Sequence, residues 1–438
     1  MNPYRQYMYS YPHKTAYGPL SGISWNDYAP LLKGKGRGLY LHIPFCQTKC
    51  GYCNLFSVTG QGEEGANQYL EAVGRQIRQY QGLAGCHTEF SDFTIGGGTP
   101  LLLTVGQLEW AFDQVFSRFR FRPDRVVVVE TAPNQTEKEK LAALKRAGVT
   151  RVSMGIQSFS DQELAALGRR HRAEKAREAL DLLMSFDFAC VNVDFIYGIP
   201  GQTVDSLLAS LKEALSYQPD EVFLYPLYVK HGAKLVKALD DGLVLNPGLA
   251  FRQYQEASCF LRSAGYRQDS MRRFVAGRGG RLFSECGFGT SLALGCGGRS
   301  YVGNLHFCTP YEVTQAGCVA RLREFENTED FLAITHGILL SDEELKRRYV
   351  IRHLLLYPGL SERRYEKHFG SQAKKDFPLL EKWEGQGLVE EKEGDPEGRE
   401  VFLSLTETGM GLSDYLGPQL ISPQVQRKME EWETAHGS

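Results

Sequence analysis

At 438 residues the chain is long enough for two or three domains around a sizeable core. Its 50 Lys and Arg nearly balance 52 Asp and Glu, which argues against a broad nucleic-acid surface and against strong membrane attraction. No stretch approaches the roughly 18 apolar residues of a membrane helix, the polar, aromatic N-terminus lacks the apolar core of a signal peptide, and 10 Cys are too sparse for a disulfide scaffold, so a reducing cytoplasm is expected.

Residues 1–38 read as an irregular arm rich in Pro and Tyr. It is expected to pack over a barrel mouth, or to send Tyr9, Tyr11, His13 or Lys14 to a substrate. The stretch Tyr40–Phe56, YLHIPFCQTKCGYCNLF, follows. Its strand-like start is stopped by Pro44, which cannot continue a ladder. The loop beyond carries Cys46, Cys50 and Cys53 in Cys-x3-Cys-x2-Cys spacing. Thiols this close in sequence point to a metal centre. A structural zinc wants four ligands, and the nearest candidate for the fourth is His42, within the strand. A [4Fe-4S] cluster on three cysteines instead leaves one iron open. S-adenosylmethionine suits that iron through its amino and carboxylate groups. The cofactor then does the hard chemistry and the protein places it.

From Leu39 strand-like and helical runs alternate. Strands are predicted over 39–43, 90–95, 125–130, 151–156, 189–196 and 221–227. Helices are predicted over 67–80, 104–117, 136–146, 161–184 and 203–215. The strands are continuously apolar, as in RVVVVE, the mark of a parallel sheet buried on both faces. The fold class is therefore α/β, a partial (β/α)6 barrel over 39–228, with chemistry at the C-terminal strand ends.

Polar or glycine residues fall at those ends. Gly97, Gly98 and Thr99 follow the second strand, where bare backbone can approach a ligand. Glu130 and Asp194 end the third and fifth strands, as helix caps or as acceptors for ribose hydroxyls and cations. Gln157 follows the fourth and can both donate and accept. Arg169, Arg170 and His171 offer a carboxylate fork or a solvated helix end.

Residues 229–325 read as a barrel extension with a helix near 247–264. Its SMRRF segment, Ser270–Phe274, is either a substrate contact or an exposed basic strand. The glycine-rich GFGTSLALGCGGRSYVGN implies backbone wrapped closely around something. Cys286, Cys296 and Cys308 are candidates for a second cluster, although their spacing matches no ligand motif. Residues 326–438 resemble a winged-helix α+β unit whose wing tip carries Gly394 and Pro396. Residues 361–400 hold 8 Lys/Arg against 11 Asp/Glu, the wrong sign for phosphate. A lid or packing role is expected.

YLHIPFCQTKCGYC, IGGGTP, VSMGIQSF with LGRRH, and VNVDFIYGIPGQT together resemble the oxygen-independent coproporphyrinogen III oxidase branch of the radical SAM family, over roughly residues 1–420. That resemblance implies a [4Fe-4S] cluster on Cys46, Cys50 and Cys53. It implies S-adenosylmethionine held by Tyr40, Gly97, Gly98, Thr99 and Glu130. It also implies a second S-adenosylmethionine site at Tyr52, Gln157, Arg169 and Asp194. A small-molecule substrate, an electron donor such as flavodoxin or ferredoxin, and a monomer are expected with it. The oxidases carry a further cysteine two residues after the third, where this chain has Leu55. The resemblance is thus to a side branch, whose relatives include radical methyltransferases and a haem carrier. For the carrier, His13, His42, His171, His231 and His306 are the candidate axial ligands.

Overall fold

The computed structural model describes residues 2–8, 10–229, 233, 235, 245–277, 288–394 and 400–436. Tyr9, His231, Cys286 and Pro396 lie outside the described residues. Six parallel strands form the centre: β1 (Gly34–Ile43), β2 (Thr88–Gly97), β3 (Phe121–Thr131), β4 (Arg151–Gln157), β5 (Cys190–Tyr197) and β6 (Glu221–Pro226). Helices α1 (Gly62–Ala84), α2 (Val105–Phe116), α3 (Lys138–Arg146), α4 (Asp161–Ala166), α5 (Ala173–Met184) and α6 (Val204–Ser216) alternate with them and share one apolar core. Val127, Val128 and Val129 of β3 are all buried, as a strand covered on both faces requires.

The sheet continues past both edges and stays open. Beyond β6 lie β8 (Arg273–Ala276) and β7 (Tyr266–Gln268), after helix α7 (Pro247–Ser263). Beyond β1 lie β9 (Ser291–Leu294), β10 (Arg299–Val302), β11 (Leu305–Cys308), β12 (His336–Leu339) and the two-residue strand Gly18–Pro19. β9 runs parallel to β1, so the barrel direction extends one strand before the order turns antiparallel.

The glycine-rich run wraps protein. Gly297 has φ +94°, and a Cβ there would meet Phe56 at 2.9 Å. Cys296 is buried, with its Sγ toward Thr309 Oγ1 and the Arg321 carbonyl, and Cys308 is also buried. Among the described residues these two thiols join no group of three metal ligands.

The C-terminal unit has helices α8 (Asp342–Leu354), α9 (Glu362–Phe369) and α10 (Leu379–Gly385). Its antiparallel sheet is ordered Leu360–Ser361, Val401–Leu405, Val389–Glu393, a winged-helix arrangement. Its own core takes in Met8, Tyr11 and Ala16 from the N-terminal arm. No helix among the described residues is long and apolar enough to cross a membrane.

Three expectations need correction. The helix expected over 161–184 is two helices. Gly168, at φ +68°, ends α4 in a Schellman turn: its N–H donates to the Ala165 carbonyl (2.9 Å) and that of Arg169 to the Leu164 carbonyl (2.9 Å). The SMRRF segment is no exposed strand. Met271, Arg272 and Arg273 are buried because Arg272 pairs with Asp414 and Arg273 with Glu221. In the arm, the Tyr11 hydroxyl donates to Glu344, and His13 Nδ1 accepts the Thr15 N–H (3.3 Å), so both face protein.

Candidate functional site

The cysteine loop is closed by a two-residue parallel pair, Phe45 with Val58 and Cys46 with Thr59. The loop after β2 is laid against it. Gly98 N–H donates to the Ile43 carbonyl (2.8 Å) and Thr99 N–H to the Phe45 carbonyl (2.7 Å). A Cβ at Gly98 would stand 2.5 Å from the Phe45 carbonyl and 3.0 Å from Cys46 Sγ, so only glycine permits the approach. Thr99 Oγ1 reaches 3.8 Å from Cys46 Sγ. Burial, then Cys53, pushes the Cys46 thiol up to about 11, and burial raises Cys53 as well.

Tyr40 and His42 stand on β1 beside this loop. His42 Nε2–H donates to the Phe56 carbonyl (2.9 Å), which leaves Nδ1 to accept from the Tyr40 hydroxyl (3.2 Å). Burial holds His42 down to about 4, so the ring is neutral with both nitrogens engaged. His42 thus orients Tyr40, and the reading of it as a fourth zinc ligand does not stand. The same engagement removes it as an axial ligand.

Glu130, at the end of β3, accepts the Gly97 N–H (3.0 Å). Burial raises its carboxyl to about 7, opposed by that hydrogen bond and assisted by Asp194. Asp194, on β5, accepts from Asn192 Nδ2 (2.7 Å) and Ser153 Oγ (3.4 Å), and burial raises it to about 6. Asn192 and Ser153 were not singled out in the sequence. Asn192 and Asp194 are two apart on one strand and so share a face, which is the signal that could have found Asn192.

The Schellman turn delivers Arg169 into this space. Its Nη1 donates to Cys50 Sγ (3.3 Å) and its Nη2 to the Gly155 carbonyl. Burial works against its charge, but Tyr52 and the Cys50 thiol outweigh burial and raise its pKa. Tyr52 packs with Leu167, Ile196 and Ile199, and burial raises its phenol. Gln157 sits at φ +73° after an irregularity in the β4–β5 register, a conformation that costs a non-glycine residue about 1–3 kcal/mol. A Cβ at Gly155 would meet Gln157 Nε2 at 2.6 Å, so the Gln157 amide folds over bare backbone beside Arg169. Arg170 is exposed, and His171 Nε2–H donates to the Ile156 carbonyl (3.1 Å). Of that trio only Arg169 enters the site.

Arm aromatics close over the last strand ends. Tyr4 packs edge-on against Tyr197 and Tyr7 stacks on Tyr228. Arg272 lies 3.9 Å over the Tyr7 ring and pairs with the fully buried Asp414, which also accepts from the Tyr228 hydroxyl (2.6 Å) and the Met8 N–H (3.3 Å). One carboxylate of the C-terminal unit thus ties together the arm, the barrel edge and its own unit.

The family model for the radical SAM superfamily matches residues 40–214. The haem chaperone HemW of Mycobacterium tuberculosis is 32% identical over 322 residues, 70% of this chain and 82% of that protein. The oxygen-independent coproporphyrinogen III oxidase of Escherichia coli is 28% identical over 415 residues, 88% of each chain. The solved structure of that E. coli oxidase superposes with a TM-score of 0.79 at 23% identity, over 94% of this chain and 96% of its own, and so shares the fold. A radical SAM fold calls for a [4Fe-4S] cluster and S-adenosylmethionine, and the residues present fit both. The three thiols offer the sulfur donors, although no three side chains among the described residues already stand in metal-ligating geometry. Beside them Arg169 Nε and Asn192 Oδ1 are buried without a hydrogen-bond partner among the described residues, open to a polar ligand. The chain belongs to the radical SAM superfamily, within the family that includes HemW and the oxygen-independent coproporphyrinogen III oxidases.

Proposed function

We propose that this chain is a catalytic radical SAM enzyme acting on a small molecule in the cytoplasm, served by a flavodoxin- or ferredoxin-type electron donor. Cys46, Cys50 and Cys53 hold the cluster. Tyr40, Gly97, Gly98, Thr99 and Glu130 hold S-adenosylmethionine beside it. When bound, the cluster supplies the electron that cleaves S-adenosylmethionine to methionine and a 5′-deoxyadenosyl radical, which takes a hydrogen atom from the substrate. The residues of the chain bind, orient and exclude water. Glu130 and Asp194 accept hydroxyls or cations, and the arm tyrosines keep bulk water from the mouth.

The observation that carries this reading is the meeting of Tyr52, Gly155, Gln157 and Arg169 at Cys50, with Gln157 held in a strained backbone. With Asp194 it forms a polar pocket suited to a second S-adenosylmethionine or to the substrate, which makes methyl transfer one outcome of the chemistry. Leu55, 45% exposed where the oxidases carry a cysteine, speaks against coproporphyrinogen decarboxylation.

The test is anaerobic reconstitution, reduction with dithionite, and assay for 5′-deoxyadenosine. No product from the wild type, or equal product from Cys50→Ala, overturns the reading. The second reading, a haem chaperone on the same fold, is favoured by the HemW relative. Tight stoichiometric haem binding without cofactor cleavage would select it.

A further inference from the structure

On the other side of β1 from the acids lies a cluster of buried polar side chains that the site above does not use. It is built on the face of β9, β10 and β11 on which Ser291, Tyr301 and His306 stand in register. The arm segment around Tyr17 and helix α8 cover it. Tyr17 packs with Cys308 and Ile338. The cluster adjoins Tyr40 through Ala293, Tyr40's register partner on β9.

Two guanidinium groups converge there. Arg348, from α8, lies 5.0 Å from the centre of the Tyr301 ring and Arg299 lies 5.7 Å from it. Arg299 Nη1 donates to Ser10 Oγ (2.8 Å) and Arg348 Nη1 to the Tyr11 carbonyl (2.9 Å), so both heads are held in place. Burial, and after it the neighbouring charge of Arg352, pulls Arg348 down to about 10. Glu344, one turn before Arg348, accepts from the Tyr11 hydroxyl.

Neutral groups complete the cluster. The His306 ring stands 4.7 Å from Tyr301, and burial, then Arg348, holds its pKa low. His306 is 1% exposed and Tyr17 5%, yet His306 Nδ1 and the Tyr17 hydroxyl have no hydrogen-bond partner among the described residues, and neither has Ser291 Oγ. A buried polar group left without a partner is destabilising, so three on one face call for a ligand. Fixed guanidinium forks beside neutral O–H and N–H donors are chemistry for oxygen anions.

We propose that Arg299, Arg348, the Tyr17 hydroxyl and His306 Nδ1 receive an oxyanion of the substrate, a carboxylate or a phosphate, and so aim the rest of it past Tyr40 toward the cysteine loop. The aim rests on the enzymatic reading above, and the oxyanion site itself can be tested apart from it.

The reconstituted holoprotein is titrated calorimetrically with glutarate and with inorganic phosphate. Saturable binding is expected, about tenfold or more weaker in Arg348→Gln and about threefold weaker in Tyr17→Phe, in line with loss of a charge-assisted and a neutral donor. Binding of glutarate alone assigns the site to carboxylates, and of phosphate alone to phosphoryl groups. Binding of both means that it reads charge. No saturable heat with either anion in the wild type overturns the proposal, as do affinities unchanged in both variants. Tyr17→Phe keeps the ring in its packing and carries the test if Arg348→Gln does not fold. Production of 5′-deoxyadenosine by the same preparation is scored separately, so failure of the radical chemistry and failure of the oxyanion site are distinguishable.

Discussion

The two flanks of β1 use opposite chemistry. Toward β3 and β5 stand Glu130 and Asp194, buried acids raised to about 7 and about 6 and held by Gly97, Asn192 and Ser153. Toward β10 and α8 stand Arg299 and Arg348 with the unpartnered Tyr17 and His306. Both acids have hydrogen-bond partners inside the protein, although Asn192 Oδ1 and Arg169 Nε near them have none among the described residues. The basic flank keeps donors that the described protein does not satisfy. A cationic cofactor and an anionic substrate would therefore be sorted to opposite sides of Tyr40 by charge before any shape is read.

The difference can be broken most sharply at Asp414. Asp414→Ala leaves Arg272 buried without its carboxylate and frees the arm. It is expected to lower stability by about 3–5 kcal/mol in denaturant unfolding. A loss under about 1 kcal/mol would mean that the sheet edge beside β6, where Arg272 lies, does not depend on the C-terminal unit.

The acid flank is tested by pH. Glu130 has a folded pKa of about 7 against an ordinary 4.5. In that window the native state binds more protons than the unfolded state. Its stability contribution is present below the lower value and is lost as pH rises through the upper one. Glu130→Gln removes this slope. Its stability relative to wild type should rise by roughly 2–3 kcal/mol between pH 5 and pH 8. A flat difference would place Glu130 in contact with water.

Asn192→Leu strips Asp194 and Ser153 of one shared donor and should cost about 1–3 kcal/mol, read at pH 8 where Asp194 is charged. The smallest effect is the counterpart on the other flank. Tyr17→Phe removes a buried hydroxyl that bonds nothing in the described protein, so without ligand stability should not fall by more than about 0.5 kcal/mol. A loss as large as that of Asn192→Leu would erase the contrast between the flanks.

Much of the acid flank was legible in the sequence. Continuous apolar runs placed all six strands to within a few residues because a buried parallel strand needs no alternation. The cysteine spacing stands in the sequence itself, and Gly97, Glu130, Gln157 and Asp194 followed from strand position. Local rules failed where partners are remote. Arg272 and Arg273 read as an exposed basic strand because Asp414 and Glu221 lie 142 and 52 positions away. The break before α5 was hidden by a helical periodicity that runs unbroken through LGRRHRAEKA, and only Gly168, just before Arg169, marked it. The basic flank draws on Tyr17, Arg299, His306 and Arg348, which no motif joins. Their meeting is a product of chain topology.

The carboxylate that fastens the arm and barrel edge has a consequence for the order of synthesis. The three cysteines and all six central strands are translated by residue 226, whereas the fastening residue is number 414 of 438. A nascent chain therefore completes its strands and sulfur ligands while the mouth still lacks its clasp. The latch arrives 188 residues later, and the opening into the barrel narrows only then.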